Sequence, residues 1–218
     1  MAERRIWSVV VARCDLTAKS RLAPVLTDAE RSQLALAMLA DVLDAAARAR
    51  LAGRIAVVDT PAAQGIAAEH GALVVADPRA GMNGAVRAGV AAASRRGAQA
   101  VLVMPGDIPL VEAGDVELAL EAASSARVVV VGRDRQGVGT NALLLRPPAV
   151  IRPAFGVDSA RHHLYLARMA GVPTTEVSSP QLGFDVDQPP DLAELRLRRP
   201  AGATGALLGQ LRDRAPVP

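Results

Sequence analysis

The chain is poor in several residue types at once: it has one cysteine, one lysine, three histidines, one tryptophan, one tyrosine and two phenylalanines. Each shortage excludes something. The lone thiol, Cys14, rules out an internal disulfide and any cysteine-based metal cluster, and it is read as a small, half-buried side chain without chemistry. With aromatics at 2% there is almost nothing on which bases could stack. The net charge of +3 and the pI near 9.9 are therefore assigned to a mild attraction for anionic small molecules, and nucleic acid is not an expected partner. No apolar run approaches the roughly 18 residues that a membrane span requires, so no membrane partner is expected either. Met1 to Val11 carries an acidic residue and too short an apolar stretch for a signal peptide, and a cytoplasmic location is the expectation. His162 and His163 do not make a metal pair, because neighbours on a helix point about 100° apart.

The shortage of lysine also selects a residue. Of 25 basic side chains only Lys19 is a lysine, so this position keeps a compact ammonium on a flexible stem where every other uses the planar guanidinium fork. It lies in Thr17-Ala18-Lys19-Ser20-Arg21-Leu22, after a first predicted strand, Ile6–Ala12. Neither a dinucleotide fingerprint nor a P-loop is present. Two readings of the loop stand side by side, a grip on phosphates and a solvated basic turn.

What the chain has in abundance is Ala, Val and Leu in short blocks. Thr27-Asp28-Ala29-Glu30 is a capping box that opens a helix ending near Gly53. Strands at Ile55–Val58 and Leu73–Ala76 flank a helix from Pro61 to His70, and this β-α-β-α-β order predicts a parallel, doubly wound sheet. Asn83, between Gly81 and Gly84, reads as the N-cap of a helix running to Gly97 or as a place where a ligand approaches a helix N-terminus. Ala100–Pro105 is an all-apolar run typical of a strand buried on both faces, and it stops at Gly106-Asp107-Ile108-Pro109. Ligands of open α/β sheets sit outside the carboxyl ends of the strands, where Asp107 falls. A helix over about 112–126, a strand Val128–Val131, a glycine-rich loop from Gly132 to Asn141 and a strand Ala142–Leu145 follow. A helix carrying Arg161, His162 and His163 ends at Gly171, and a short helix starts at Pro190.

Asp185 and Asp187, at i and i+2, project to one side of an extended segment, an unfavourable pairing unless a cation lies between them. Together with Asp107 they offer hard oxygen ligands for Mg²⁺. Lys19 and Arg21 place positive charge at the same sheet edge. Phosphoryl or nucleotidyl transfer needs little more than alignment and charge neutralisation.

Six segments then carry a resemblance. They are Ala18-Lys19-Ser20-Arg21-Leu22-Ala23-Pro24, Gly81-Met82-Asn83, Pro105-Gly106-Asp107-Ile108-Pro109-Leu110, Gly139-Thr140-Asn141-Ala142-Leu143, Phe155-Gly156-Val157-Asp158-Ser159, and Asp185-Val186-Asp187-Gln188-Pro189-Pro190-Asp191-Leu192. In this order they resemble the guanylyltransferases of coenzyme F420 biosynthesis, over nearly the whole chain to about Leu195. The resemblance implies a three-layer α/β sandwich with a mostly parallel, Rossmann-like sheet of the nucleotide-diphospho-sugar transferase type. One domain is expected over 1–198, and the tail over 199–218, rich in Gly, Ala, Arg and Pro, reads from that composition as weakly ordered or helical around Ala206 to Leu211. The implied reaction moves GMP from GTP to phosphoenolpyruvate, 2-phospho-L-lactate or 3-phospho-D-glycerate and releases pyrophosphate. Asp107, Asp185 and Asp187 would hold Mg²⁺. Lys19, Arg21 and Asp107 would be catalytic, with Lys19, Arg21, Asn83 and Asp107 at the nucleotide. Thr140, Gly156 and Ser159 would meet the phosphoacid. A homodimer and hand-over of product to the next enzyme of the F420 pathway complete the expected partners. Met82, Gly106, Gln188 and Val138 depart from the family pattern, and Met82 is the departure that would bear on the choice of acid. The rival readings are a glycosyltransferase that uses a nucleotide sugar and a non-catalytic nucleotide-binding domain.

Overall fold

The structure, a computed structural model, describes residues 5–212. Seven strands form one sheet in the order β3-β2-β1-β4-β6-β5-β7: β1 Ile6–Ala12, β2 Gly53–Val58, β3 Leu73–Ala76, β4 Ala100–Pro105, β5 Val128–Arg133, β6 Thr140–Arg146 and β7 Thr174–Val177. The seven helices are α1 Asp28–Arg48, α2 Pro61–Glu69, α3 Gly81–Arg95, α4 Ala113–Ala122, α5 Ser159–Met169, α6 Pro189–Arg198 and α7 Gly202–Arg212.

Alternation along β1 shows why both sheet faces are covered. Val10 joins α1, α2 and α4 residues such as Leu39, Ala63 and Val116 in one apolar cluster, while Val9 and Val11 join Ala85 and Val86 of α3 and Ala160 of α5 in another. The predicted capping box is present at the start of α1: the Thr27 hydroxyl accepts the Glu30 N–H at 3.3 Å, and the Glu30 carboxylate accepts the Thr27 N–H at 2.8 Å. The helix stops at Arg48, short of the expected Gly53, which instead begins β2.

The sheet is mostly parallel, as expected: pairing is parallel across β3-β2-β1-β4 and β5–β7, while β6 runs antiparallel to both β4 and β5. Residues 134–139 are too few for a crossover, which takes about a dozen residues, so they close a hairpin. β7 was not expected from the sequence, because Thr174, Thr175 and Glu176 lie exposed at the sheet edge and carry no apolar signal. Cys14 is fully buried where a half-buried thiol was expected, and burial, followed by the neighbouring Asp59 and Asp15 charges, pushes it up to about 12.

Within the tail segment, α7 packs on α1 and puts Leu208 into a third apolar cluster with Leu34, Met38, Phe184, Leu192 and Leu195. Asp41 of α1 accepts the N–H groups of Ala203 and Thr204 at 2.7 and 3.0 Å, satisfying two free donors at the helix start. The tail residues 213–218 lie outside the described residues. No helix among the described residues is long and apolar enough to cross a membrane.

The strand order reverses between β1 and β4, from which the chain winds outward in opposite directions. Such a switch point leaves a crevice at the carboxyl ends of the two strands.

Candidate active site

Two loops enter that crevice, one after β1 and one after β4. The first is held in place by Arg31 of α1, buried against the loop, whose Nε, Nη1 and Nη2 donate to the carbonyls of Ala18, Leu26 and Leu16 at 3.1, 3.3 and 3.1 Å. Asp59, just past β2, accepts the Cys14 N–H at 2.8 Å. The loop ends in a single 3₁₀ turn, Ser20–Leu22, preceded by Lys19 in the left-handed region at φ 50°. Non-glycine residues adopt that conformation at a cost when the surroundings impose it.

At the end of β4, Gly106 N–H donates to the Val11 carbonyl at 2.9 Å, drawing the Asp107 loop against β1. A Cβ on Gly106 would sit 2.7 Å from the Ala12 Cβ, so this departure from the family pattern fits the close approach. The Asp107 carbonyl accepts the Val186 N–H at 3.1 Å. With Val186 buried in the third apolar cluster, its neighbours Asp185 and Asp187 turn the other way, beside Asp107. Asp191, the N3 residue of α6, accepts the N–H of both Asp187 and Gln188, at 2.9 and 2.7 Å, and fixes that segment.

Lys19 therefore meets two carboxylates. Its Nζ lies 2.5 Å from Asp107 Oδ2 and 2.9 Å from Asp187 Oδ1, with 11% of the side chain exposed, and Arg21 Nη1 lies 3.3 Å from Asp187 Oδ2. Burial disfavours the ammonium, but the Asp107 and Asp187 charges outweigh it and hold Lys19 above its ordinary range. Burial also opposes the charged form of Asp187, and Lys19 and then Arg21 hold its carboxyl below the usual range. Asp185 differs. Burial and the nearby Asp107 and Asp187 charges push it up, and its Oδ1 accepts from Asn141 Nδ2 at 3.5 Å. Among the described residues no three His, Cys, Asp or Glu side chains already form a metal cage, and the Lys19 ammonium occupies the space between Asp107 and Asp187. The adjoining cleft has a volume of about 560 Å³, within the size range of small-molecule sites, and its lining includes Arg13, Lys19, Arg21, Met82, Asp107 and Asp187.

The other predicted residues form a second cluster. Asn83 is not an N-cap: α3 starts two residues earlier, at Gly81, and Ala80 precedes it. The Asn83 amide is spent on the backbone of one residue, its Nδ2 donating to the Phe155 carbonyl and its Oδ1 accepting the Phe155 N–H, each at 2.8 Å. Beyond this clamp, Gly156 takes φ +134°, a conformation open to glycine alone, and its carbonyl accepts the Ser159 N–H at 3.2 Å. Thr140 and Ser159 hydroxyls are 3.1 Å apart, and Thr140 Oγ1 is 3.1 Å from His163 Nδ1. Asn83, Thr140, Gly156 and Ser159 thus gather around the 154–159 loop, outside the lining of the cleft that holds Lys19 and Asp107. Asn141, next to Thr140, links the two clusters through Asp185. Sequence reasoning missed Arg31, Asp191 and His163. Asp191 had a signal, the Gln188–Asp191 spacing of a capping box, while the other two show their roles only through distant partners.

Comparison with known proteins bears on this arrangement. Residues 8–212 match the model of a family described as Guanylyl transferase CofC like. A phosphoenolpyruvate guanylyltransferase from Sphaerobacter thermophilus is 41% identical over 189 residues, covering 86% of this chain and 91% of the relative. A 3-phospho-D-glycerate guanylyltransferase from Phenylobacterium zucineum is 38% identical over 214 residues, covering 95% and 97%. Among solved structures, a protein from Desulfovibrio desulfuricans G20, provisionally assigned as a nucleotide-diphospho-sugar transferase, superposes with a TM-score of 0.76 at 18% identity over 95% of each chain. That likeness supports the fold alone, the expected three-layer α/β type. The match over the length of the described chain shows that the protein belongs to the Guanylyl transferase CofC-like family.

Proposed function

We propose that this protein is a guanylyltransferase that moves GMP from GTP to the phosphate of a three-carbon phosphorylated carboxylic acid and releases pyrophosphate, within coenzyme F420 assembly. The observation that carries the reading is Lys19, the chain's one lysine, held between Asp107 and Asp187 at the switch point of a nucleotidyltransferase-like sheet.

The acid's phosphate is already ionised at neutral pH, so no general base is needed. One of its oxygens attacks the α-phosphorus of GTP in line. The new P–O bond forms as the bond to the β-phosphate oxygen breaks, and pyrophosphate leaves with the electron pair. Lys19 and Arg21 offset charge that grows on the leaving group. The donor set suits Mg²⁺, since Asp107, Asp185 and Asp187 offer neighbouring hard oxygens and this ion completes its shell with water and phosphate. Bound there, Mg²⁺ would neutralise phosphate oxygens and raise the electrophilicity of the α-phosphorus. On the same reading Thr140, Gly156 and Ser159 receive the acid, and Asn83 shapes that subsite from behind through Phe155. The product then passes to the next enzyme of the assembly, and a homodimer is the expected oligomer.

The test is pyrophosphate release from GTP and Mg²⁺ with phosphoenolpyruvate, 2-phospho-L-lactate and 3-phospho-D-glycerate in turn. Release that depends on one of these acids is expected. A sugar-transferring enzyme would release none, and a nucleotide sensor would respond only with a shift in melting temperature.

A further inference from the structure

The Ala154 N–H donates to His163 Nε2 at 2.9 Å, which makes that nitrogen an acceptor and leaves it without a proton. A neutral imidazole carries one proton, so it sits on Nδ1 and points at Thr140 Oγ1, 3.1 Å away. The tautomer follows from the backbone amide, whose role as donor is fixed. Ser159 Oγ lies 3.1 Å from the same Thr140 oxygen. Three protons are then available, on His163 Nδ1, Thr140 Oγ1 and Ser159 Oγ. The two links among these groups use two of them. If Ser159 donates to Thr140, the Thr140 proton remains, and if Thr140 donates to Ser159, the Ser159 proton remains. In both arrangements one hydroxyl proton points out of the network, and no acceptor for it is found among the described residues. Thr140, Ser159 and His163 are 6%, 2% and 0% exposed, so the proton is held in a buried setting where a missing acceptor is costly.

We propose that His163 is a positioning residue for the acid substrate: its Nδ1–H fills one acceptor site of the Thr140–Ser159 pair, so that the pair presents one hydroxyl proton to an anionic oxygen of the acid. This rests on the guanylyltransferase reading above. Carboxylate and phosphate oxygens are acceptors only, the partner that a surplus donor selects. The frame around the ring is rigid. Phe155 meets the His163 ring edge to face, with centroids 5.0 Å apart, and the Asn83 clamp fixes the peptide next to Ala154.

The experiment compares His163→Gln with His163→Asn. A glutamine amide reaches about where Nε2 lies and can still accept the Ala154 N–H, but it leaves Thr140 without its donor. An asparagine amide reaches about where Nδ1 lies and restores that donor. In steady-state pyrophosphate release, His163→Gln should raise the KM for the acid about 10-fold, the scale of one hydrogen bond, with the KM for GTP within about twofold of wild type. His163→Asn should recover most of the loss. An unchanged acid KM in His163→Gln, equal shifts in both KM values, or identical behaviour of the two variants would overturn the proposal. Should His163→Gln fail to fold, a double-mutant cycle of Thr140→Val and His163→Leu, which removes the Nδ1 donor and keeps an apolar side chain in the buried position, takes its place. A non-additive effect on acid KM is expected, and additivity overturns the proposal. Wild-type protein that turns over none of the acids overturns the guanylyltransferase reading and this proposal with it, whereas normal wild-type turnover with an unresponsive His163→Gln overturns this proposal alone.

Discussion

Lowering the pH should destabilise the protein through His163 by an amount that the structure allows to be worked out. Burial, and then the charge of the adjacent His162, holds the His163 ring down to about 4, against an ordinary 6.5. Protonation would also place an N–H on Nε2, facing the Ala154 N–H that now donates to it. The unfolded chain thus takes up the proton first as the pH falls. The contribution of neutral His163 is fully present above about pH 6.5 and is lost progressively down to about pH 4. At about 1.36 kcal/mol per pH unit the whole gap corresponds to roughly 3 kcal/mol, and about 2 kcal/mol of it is lost between pH 7 and pH 5. Urea unfolding of wild type and His163→Gln at those two pH values isolates this loss, because carboxylates that titrate in both proteins cancel in the difference. Wild type should lose about 2 kcal/mol more than the variant. Equal losses in the two proteins would refute the buried neutral ring.

Three further outcomes follow from other sites. Lys19→Met, Asp107→Asn and Asp187→Asn should each lower pyrophosphate release at least about 10²-fold while circular dichroism stays unchanged, and Lys19→Arg should not restore activity, because the planar fork does not fit where a compact ammonium meets two carboxylates. Asp41→Ala removes the acceptor for the Ala203 and Thr204 N–H groups and should cost about 1 to 2 kcal/mol in urea unfolding, with turnover of the remaining folded enzyme preserved. Gly89→Ala would put a Cβ 2.3 Å from Val9 Cγ1 and 2.9 Å from Val57 Cγ2, and the repacking should cost about 1 to 3 kcal/mol, read as a lower urea midpoint.

Elements whose signals are local were legible in the sequence. The Thr27–Glu30 box, the apolar runs of β1 and β4, and the carboxylate at the end of β4 each depend on residues a few positions apart, and each appears where the pattern put it. Lys19, chosen for being the one lysine, does meet Asp107 and Asp187, and the i and i+2 carboxylates do share a side, because the buried Val186 between them can satisfy its side chain only by facing the core. Asn83 reads from the sequence as an N-cap or as a point of ligand approach, and nothing nearby reveals that its amide binds the backbone of Phe155, 72 positions away. His163, set aside as one of an adjacent pair, became the buried centre of the Thr140 cluster once α5 packed over β5 and β7 and reached Thr140 at the start of β6.

The identity of the helices and of every strand but β7, the strand-end position of Asp107 and the charge types of the site were therefore written in short-range pattern. The reversal of β6, the Asp41 cap on α7, the Arg31 staple of the Lys19 loop and the proton direction at His163 were decided only by tertiary structure. The reason is physical. Periodicity and capping reflect forces that act within one or two turns of chain, whereas the partner of a buried donor or charge, and so its tautomer and counterion, is whatever distant group the folded chain brings to within about 3 Å.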